Sequence, residues 1–76
     1  MEKKEVANRI ASLIIEVHKE RYKALEEKNK GKYRELTDIV WDLIEDLNHM
    51  GFKFYFKDKW SYELYEKDEI KVYDNF

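Results

Sequence analysis

From Lys4 to about Asn29, apolar positions recur at helical spacing. Val6, Ile10, Leu13, Val17 and Ala24 form one row, and Ala7, Ile14 and Leu25 lie beside it. Neither Gly nor Pro interrupts the stretch, and Glu16/Glu20 stand at ion-pair spacing from Lys19/Lys23. The run Lys28-Asn29-Lys30-Gly31-Lys32 predicts where it ends: lysines suit the negative end of a helix, and Gly31 tolerates a left-handed cap. A second helix is predicted from about Lys32 to Met50. Its apolar side carries Tyr33, Leu36, Ile39, Val40, Leu43, Ile44, Leu47 and Met50, and Gly51 sits where a terminating glycine belongs. So short a connection makes the two helices antiparallel neighbours.

After Gly51 the period changes to two. Phe52, Phe54 and Phe56 alternate with Lys53, Tyr55 and Lys57; Trp60, Tyr62 and Leu64 alternate with Ser61, Glu63 and Tyr65; Ile70 and Val72 alternate with Lys71 and Tyr73. Three short strands in a meander follow. Residues directly opposite must share a face. A three-residue loop, Lys57-Asp58-Lys59, meets that condition: it sets Phe56 opposite Trp60, Phe54 opposite Tyr62, Phe52 opposite Leu64 and Lys53 opposite Glu63. A like loop at Glu66-Lys67-Asp68 aligns Leu64 with Ile70 and Tyr62 with Val72, and puts Lys71 opposite Glu63. Neither loop holds the glycine that such hairpins favour. The expected architecture is α+β: two antiparallel helices followed by a three-stranded antiparallel meander (α-α-β-β-β), with the helices packed on one sheet face.

The chain has 76 residues, which is one small domain covering residues 1–76, with no Cys and no Pro. No disulfide, thiolate metal site or cysteine nucleophile is available. No apolar run approaches the roughly 18 residues of a membrane span, and Met-Glu-Lys-Lys-Glu lacks the apolar core of a signal peptide. A cytoplasmic location without membrane contact is the expectation. Fifteen basic against 17 acidic residues give a formal charge of -2, and hence no general attraction to nucleic acid or anionic lipid. A core this small rarely supplies more than roughly 3–5 kcal/mol without a staple. The aromatic residues of the inner sheet face, Phe52, Phe54, Phe56, Trp60 and Tyr62, are the expected substitute.

Four features stand out as candidate surfaces. The apolar arc of the first helix is roughly 200° wide, more than one neighbour needs. This points to self-association through Ala11, Ile14, Ile15, His18 and Tyr22, and so to a homodimer; covering by the sheet is the plainer alternative. A packed, hydrogen-bonded role for His18 outweighs a ligand role. The second helix has an acidic outer face of Glu35, Asp38, Asp42, Glu45 and Asp46, with His49 at its end. Its like-charge pairs one turn apart cost a few tenths of a kcal/mol each, so a basic partner stands beside the plain reading of a solvated face. Trp41 lies beyond the edge of the apolar stripe; a ring folded over the sheet flank or under the chain end is the plainer reading, an exposed contact residue the other. Lastly, Tyr55, Tyr65 and Tyr73 interleave with Lys53, Lys57 and Lys71 on the outer sheet face; a solvated face is the plain reading, protein contact comes next and base stacking third.

No nucleophile is paired with a base, and no phosphate loop, dinucleotide fingerprint or HExxH occurs. The expectation is a non-enzymatic module without cofactor or metal, acting by protein–protein contact and occlusion of a partner surface. A nucleotide or single-stranded nucleic-acid binder using the Tyr/Lys sheet face ranks behind it. In general profile, a very small, charged, cysteine-free chain with aromatic strands, the protein is similar to small proteins carried by phages and other mobile elements. Many of those bind and inhibit a host factor.

Overall fold

A computed structural model describes residues 2–67. In chain order it contains α1 (Lys3–Glu26), α2 (Lys30–His49), β1 (Phe52–Phe56) and β2 (Tyr62–Glu66). The helices form an antiparallel hairpin, and β1 and β2 pair antiparallel across it. The third strand expected around Ile70 and Val72 lies outside the described residues, as does Tyr73; the α+β class holds, with two paired strands among the described residues.

The helix-to-helix turn differs from the expectation, and the backbone explains why. α1 stops at Glu26, and Lys28, not Gly31, takes the left-handed conformation (φ 58°). The Lys28 N–H donates to the Leu25 carbonyl at 3.1 Å and the Asn29 N–H to the Ala24 carbonyl at 2.9 Å. These are the two bonds of a Schellman motif, in which the left-handed position usually belongs to glycine. Asn29 then caps α2, its side chain accepting from the Lys32 N–H at 3.2 Å. That cap lets the helix begin at Lys30 and absorbs Gly31 into its first turn. The other end follows the expectation: Gly51 has φ 94° and donates to the Asn48 carbonyl at 3.0 Å.

Ala7, Ala11, Ile14, Val40, Leu47 and Phe52 are buried together, flanked by Ile10, Val17, Leu43, Ile44, Met50, Phe54, Tyr62 and Leu64. Alanines four residues apart on α1 present almost no side chain, so neighbours approach closely there. Tyr62 Oη donates to Asn8 Oδ1 at 2.9 Å and ties β2 to the start of α1.

The strand register is offset by two residues from the expected one. Phe56 faces Tyr62, Phe54 faces Leu64 and Phe52 faces Glu66, while Tyr55 faces Glu63 and Lys53 faces Tyr65. An offset of two keeps every side chain on its expected face, since the period is two. It lengthens the loop to Lys57–Ser61, closed by Lys57 N–H to Ser61 carbonyl at 3.1 Å and by Ser61 Oγ to Asp58 at 3.1 Å. A three-residue loop without glycine is unfavourable, and the longer one frees Trp60 from the ladder. Its ring then lies 5.6 Å from His18 and 5.5 Å from Tyr22, edge-on to both. The inner sheet face is therefore not uniformly buried: Phe52 is 3% exposed, but Phe56 is 40% and Trp60 41% exposed.

Candidate partner-binding interface

Five carboxylates, Glu35, Asp38, Asp42, Glu45 and Asp46, project from α2 into solvent. Asp38, Asp42 and Asp46 recur every four residues, about 6 Å apart along the axis at 1.5 Å per residue. Among the described residues, no Lys or Arg forms an ion pair with any of the five; the one partner on this face is His49, 3.6 Å from Glu45. Trp41 stands on the flank of the stripe, three residues after Asp38 and four before Glu45. It is 62% exposed, so it does not fold over the sheet. A large, rigid, apolar ring beside exposed carboxylates is chemically suited to a basic protein surface, where the ring supplies contact area and the charges supply orientation.

The arc expected to self-associate is occupied by the chain itself. Ala11, Ile14 and Ile15 are buried, because the strands and α2 cover both halves of the wide apolar surface. His18 and Tyr22 are half-buried and meet Phe56 and Trp60; the His18 and Phe56 rings are 4.7 Å apart. Apolar side chains that do remain exposed on the helices are Leu13, Leu25, Ile39 and Trp41.

His18 has a defined role within this cluster. An Arg21 guanidinium nitrogen lies 2.8 Å from His18 Nδ1. Arginine can only donate, so Nδ1 accepts and the imidazole is neutral. Burial, and then the nearby Arg21 charge, hold the His18 pKa below the ordinary 6.5. Beside it, the Lys59 ammonium lies 4.2 Å from the Tyr22 ring centre and 5.4 Å from that of Trp60. Trp60 meets α1 as expected of an inner-face aromatic, though from the loop and not from a strand; Lys59, by contrast, does not figure in the sequence pattern as a partner of α1.

On the outer sheet face, Tyr55 and Tyr65 meet edge-on at 6.0 Å, with Tyr55 49% exposed. The Tyr65 hydroxyl donates to Glu63, which places a carboxylate among the tyrosines and weakens the field a phosphate would see. Among the described residues, no group of three or more His, Asp or Glu is arranged to hold a metal ion.

A second concentration of charge went unread in the sequence. The run from Lys28 to Arg34 carries a lysine or arginine at Lys28, Lys30, Lys32 and Arg34, of which the three lysines were taken above only as a helix terminator. Three of these, Lys28, Lys30 and Arg34, line a surface cavity of about 460 Å³ at the tip of the helical hairpin. No family model matches the chain, and neither the curated proteins nor the solved structures contain a match to it.

Proposed function

We propose that the protein is a non-enzymatic binding module that acts by covering a basic surface of a protein partner with the acidic face of α2. Trp41 carries the reading: it is 62% exposed, although a tryptophan offers roughly 150–250 Å² of apolar surface that water penalises. The adjoining carboxylates have no lysine or arginine to neutralise them among the described residues. A partner that uses cationic residues, such as one with a nucleic-acid channel, would be matched in charge along three turns of helix and thereby blocked. That mode of action agrees with the general likeness to mobile-element inhibitors of host factors. Self-association through the arc from Ala11 to Tyr22 is no part of the reading, because Ala11, Ile14 and Ile15 are buried within the chain and only His18 and Tyr22 are partly exposed. Nucleic-acid binding on Tyr55 and Tyr65 ranks second, since Glu63 lies among them.

The test has two stages. Affinity purification from the native host identifies the partner, and binding to the purified partner is then measured against salt. Replacing Asp38, Asp42 and Asp46 together with Ala removes three exposed charges and no buried group. It should weaken binding at least about tenfold and flatten the salt dependence, and Trp41→Ala should weaken binding at all salt concentrations. Undiminished binding by the triple variant eliminates the acidic-face mechanism.

A further inference from the structure

We propose that the tip of the helical hairpin, where α1 turns into α2, is a binding site for a small amphiphilic anion, namely an aliphatic or aromatic body bearing one carboxylate. The cavity there measures about 460 Å³, inside the range of roughly 300–1,000 Å³ typical of small-molecule sites. Its floor is apolar. Leu25 is 56% exposed into it, the Tyr33 ring forms a wall, and the Thr37 hydroxyl is already committed to the Tyr33 carbonyl at 2.8 Å. All three charged residues of the lining, Lys28, Lys30 and Arg34, are cations, in a chain that has more acids than bases. A fourth cation, Arg21, reinforces the wall from α1, its guanidinium 5.8 Å from the Tyr33 ring centre and 3.5 Å from Thr37 Oγ1.

The placement of these cations is the second argument. The start of a helix is its positive pole and ordinarily attracts Asp or Glu. The first turn of α2 has no acid and instead carries Lys30 and Lys32, with Arg34 following. Positive side chains on a positive pole repel it and one another, an arrangement that an anion seated among them relieves. The apolar floor selects which anion. An inorganic ion would leave Leu25 and Tyr33 in water, whereas a carboxylate on a hydrocarbon body satisfies both parts of the cavity, with Arg34 able to grip the carboxylate through two N–H groups. The site is on the same helix as the acidic face but opposite in sign, and does not depend on that face having a partner.

Amide NMR of the isotope-labelled protein tests this, with decanoate, decanol and phosphatidylglycerol vesicles as the probes. Decanoate should give saturable shifts centred on Leu25, Tyr33, Arg34 and Thr37, and decanol should bind at least about tenfold more weakly. The double variant Lys30→Glu/Arg34→Glu changes two exposed residues; with an unchanged circular-dichroism spectrum, it should lose about tenfold or more in decanoate affinity. The proposal is overturned by an absence of saturable decanoate shifts, by equal affinity for the alcohol or in the double variant, or by association with vesicles in place of monomeric decanoate.

Discussion

Lys28 holds a backbone conformation that its side chain disfavours, and replacing it with glycine should make the protein more stable. Its φ of 58° is required by the turn, because the adjoining N–H groups bond the Leu25 and Ala24 carbonyls at 3.1 and 2.9 Å. An L-residue in the left-handed region costs about 1–2 kcal/mol, which glycine avoids. Glycine gives back roughly 0.5–1 kcal/mol through the greater freedom of its unfolded chain. The net expectation for Lys28→Gly is a gain of about 0.5–1 kcal/mol. With a urea m-value of about 1 kcal/mol/M, at the low end for small proteins, the unfolding midpoint should rise by roughly 0.5–1 M. Lys28→Ala is the control that separates backbone from charge: it removes the ammonium yet keeps the Cβ, so its midpoint should stay near that of the parent. Gly51→Ala provides the mirror image. Its added Cβ would meet nothing nearer than Lys3 Nζ at 3.6 Å, so the loss of about 1 kcal/mol or more comes from the φ of 94° alone. A Lys28→Gly protein no more stable than Lys28→Ala would refute the strain argument.

Two further expectations concern the cluster around His18. Trp60→Ala should cost about 2 kcal/mol, less than the roughly 3–5 of a fully buried aromatic, because the ring is 41% exposed; the thermal midpoint reads the loss, and amide shifts at Tyr22 and His18 locate it. For His18, the folded-state pKa lies below the unfolded value of 6.5, so near and below that value the unfolded chain binds more protons. The stabilisation from the neutral ring is present above pH ~6.5 and is lost as pH falls through the lower, folded-state value. Urea midpoints of the parent and His18→Gln, compared across pH 5 to 7.5, should converge toward acid; parallel curves would show that the imidazole does not titrate with folding.

Both helices and the inward or outward direction of the described strand residues were legible in the sequence, because periods of 3.6 and 2 depend only on which positions meet the core. The register was not. An offset of two residues preserves every face, so alternation cannot distinguish Phe56 opposite Trp60 from Phe56 opposite Tyr62. What decides it is tertiary: Trp60 packs on Tyr22 and His18, which lie about forty positions earlier in the chain. The same applies to the wide arc of α1. Periodicity showed its width, but whether a neighbouring element or a second molecule covers Ile14 and Ile15 depends on where the strands return. At the helix turn, composition favoured Gly31 as the left-handed residue, yet the capping bond from the Lys32 N–H to Asn29 Oδ1 moved the boundary. Among the acidic residues, the stripe itself was visible and the exposure of Trp41 was not, since a flank position serves either environment.

A formal charge of -2 describes this molecule poorly, because α2 segregates its charges. From Lys30–Arg34 to Asp42–Asp46 is twelve residues, about 18 Å along the axis, or roughly twice the Debye length of about 8 Å at physiological ionic strength. In such a solution Asp42 and Asp46 are largely screened from the cationic end, whereas Glu35 and Asp38, the next carboxylates along the helix, lie within about one Debye length of Arg34 and feel a ligand seated there. In dilute salt the two ends act together as one large dipole parallel to the helix axis, which turns the molecule in the field of an approaching charged surface before any contact forms. Ionic strength thus determines whether the outer ends of α2 present one oriented object or two separate ones.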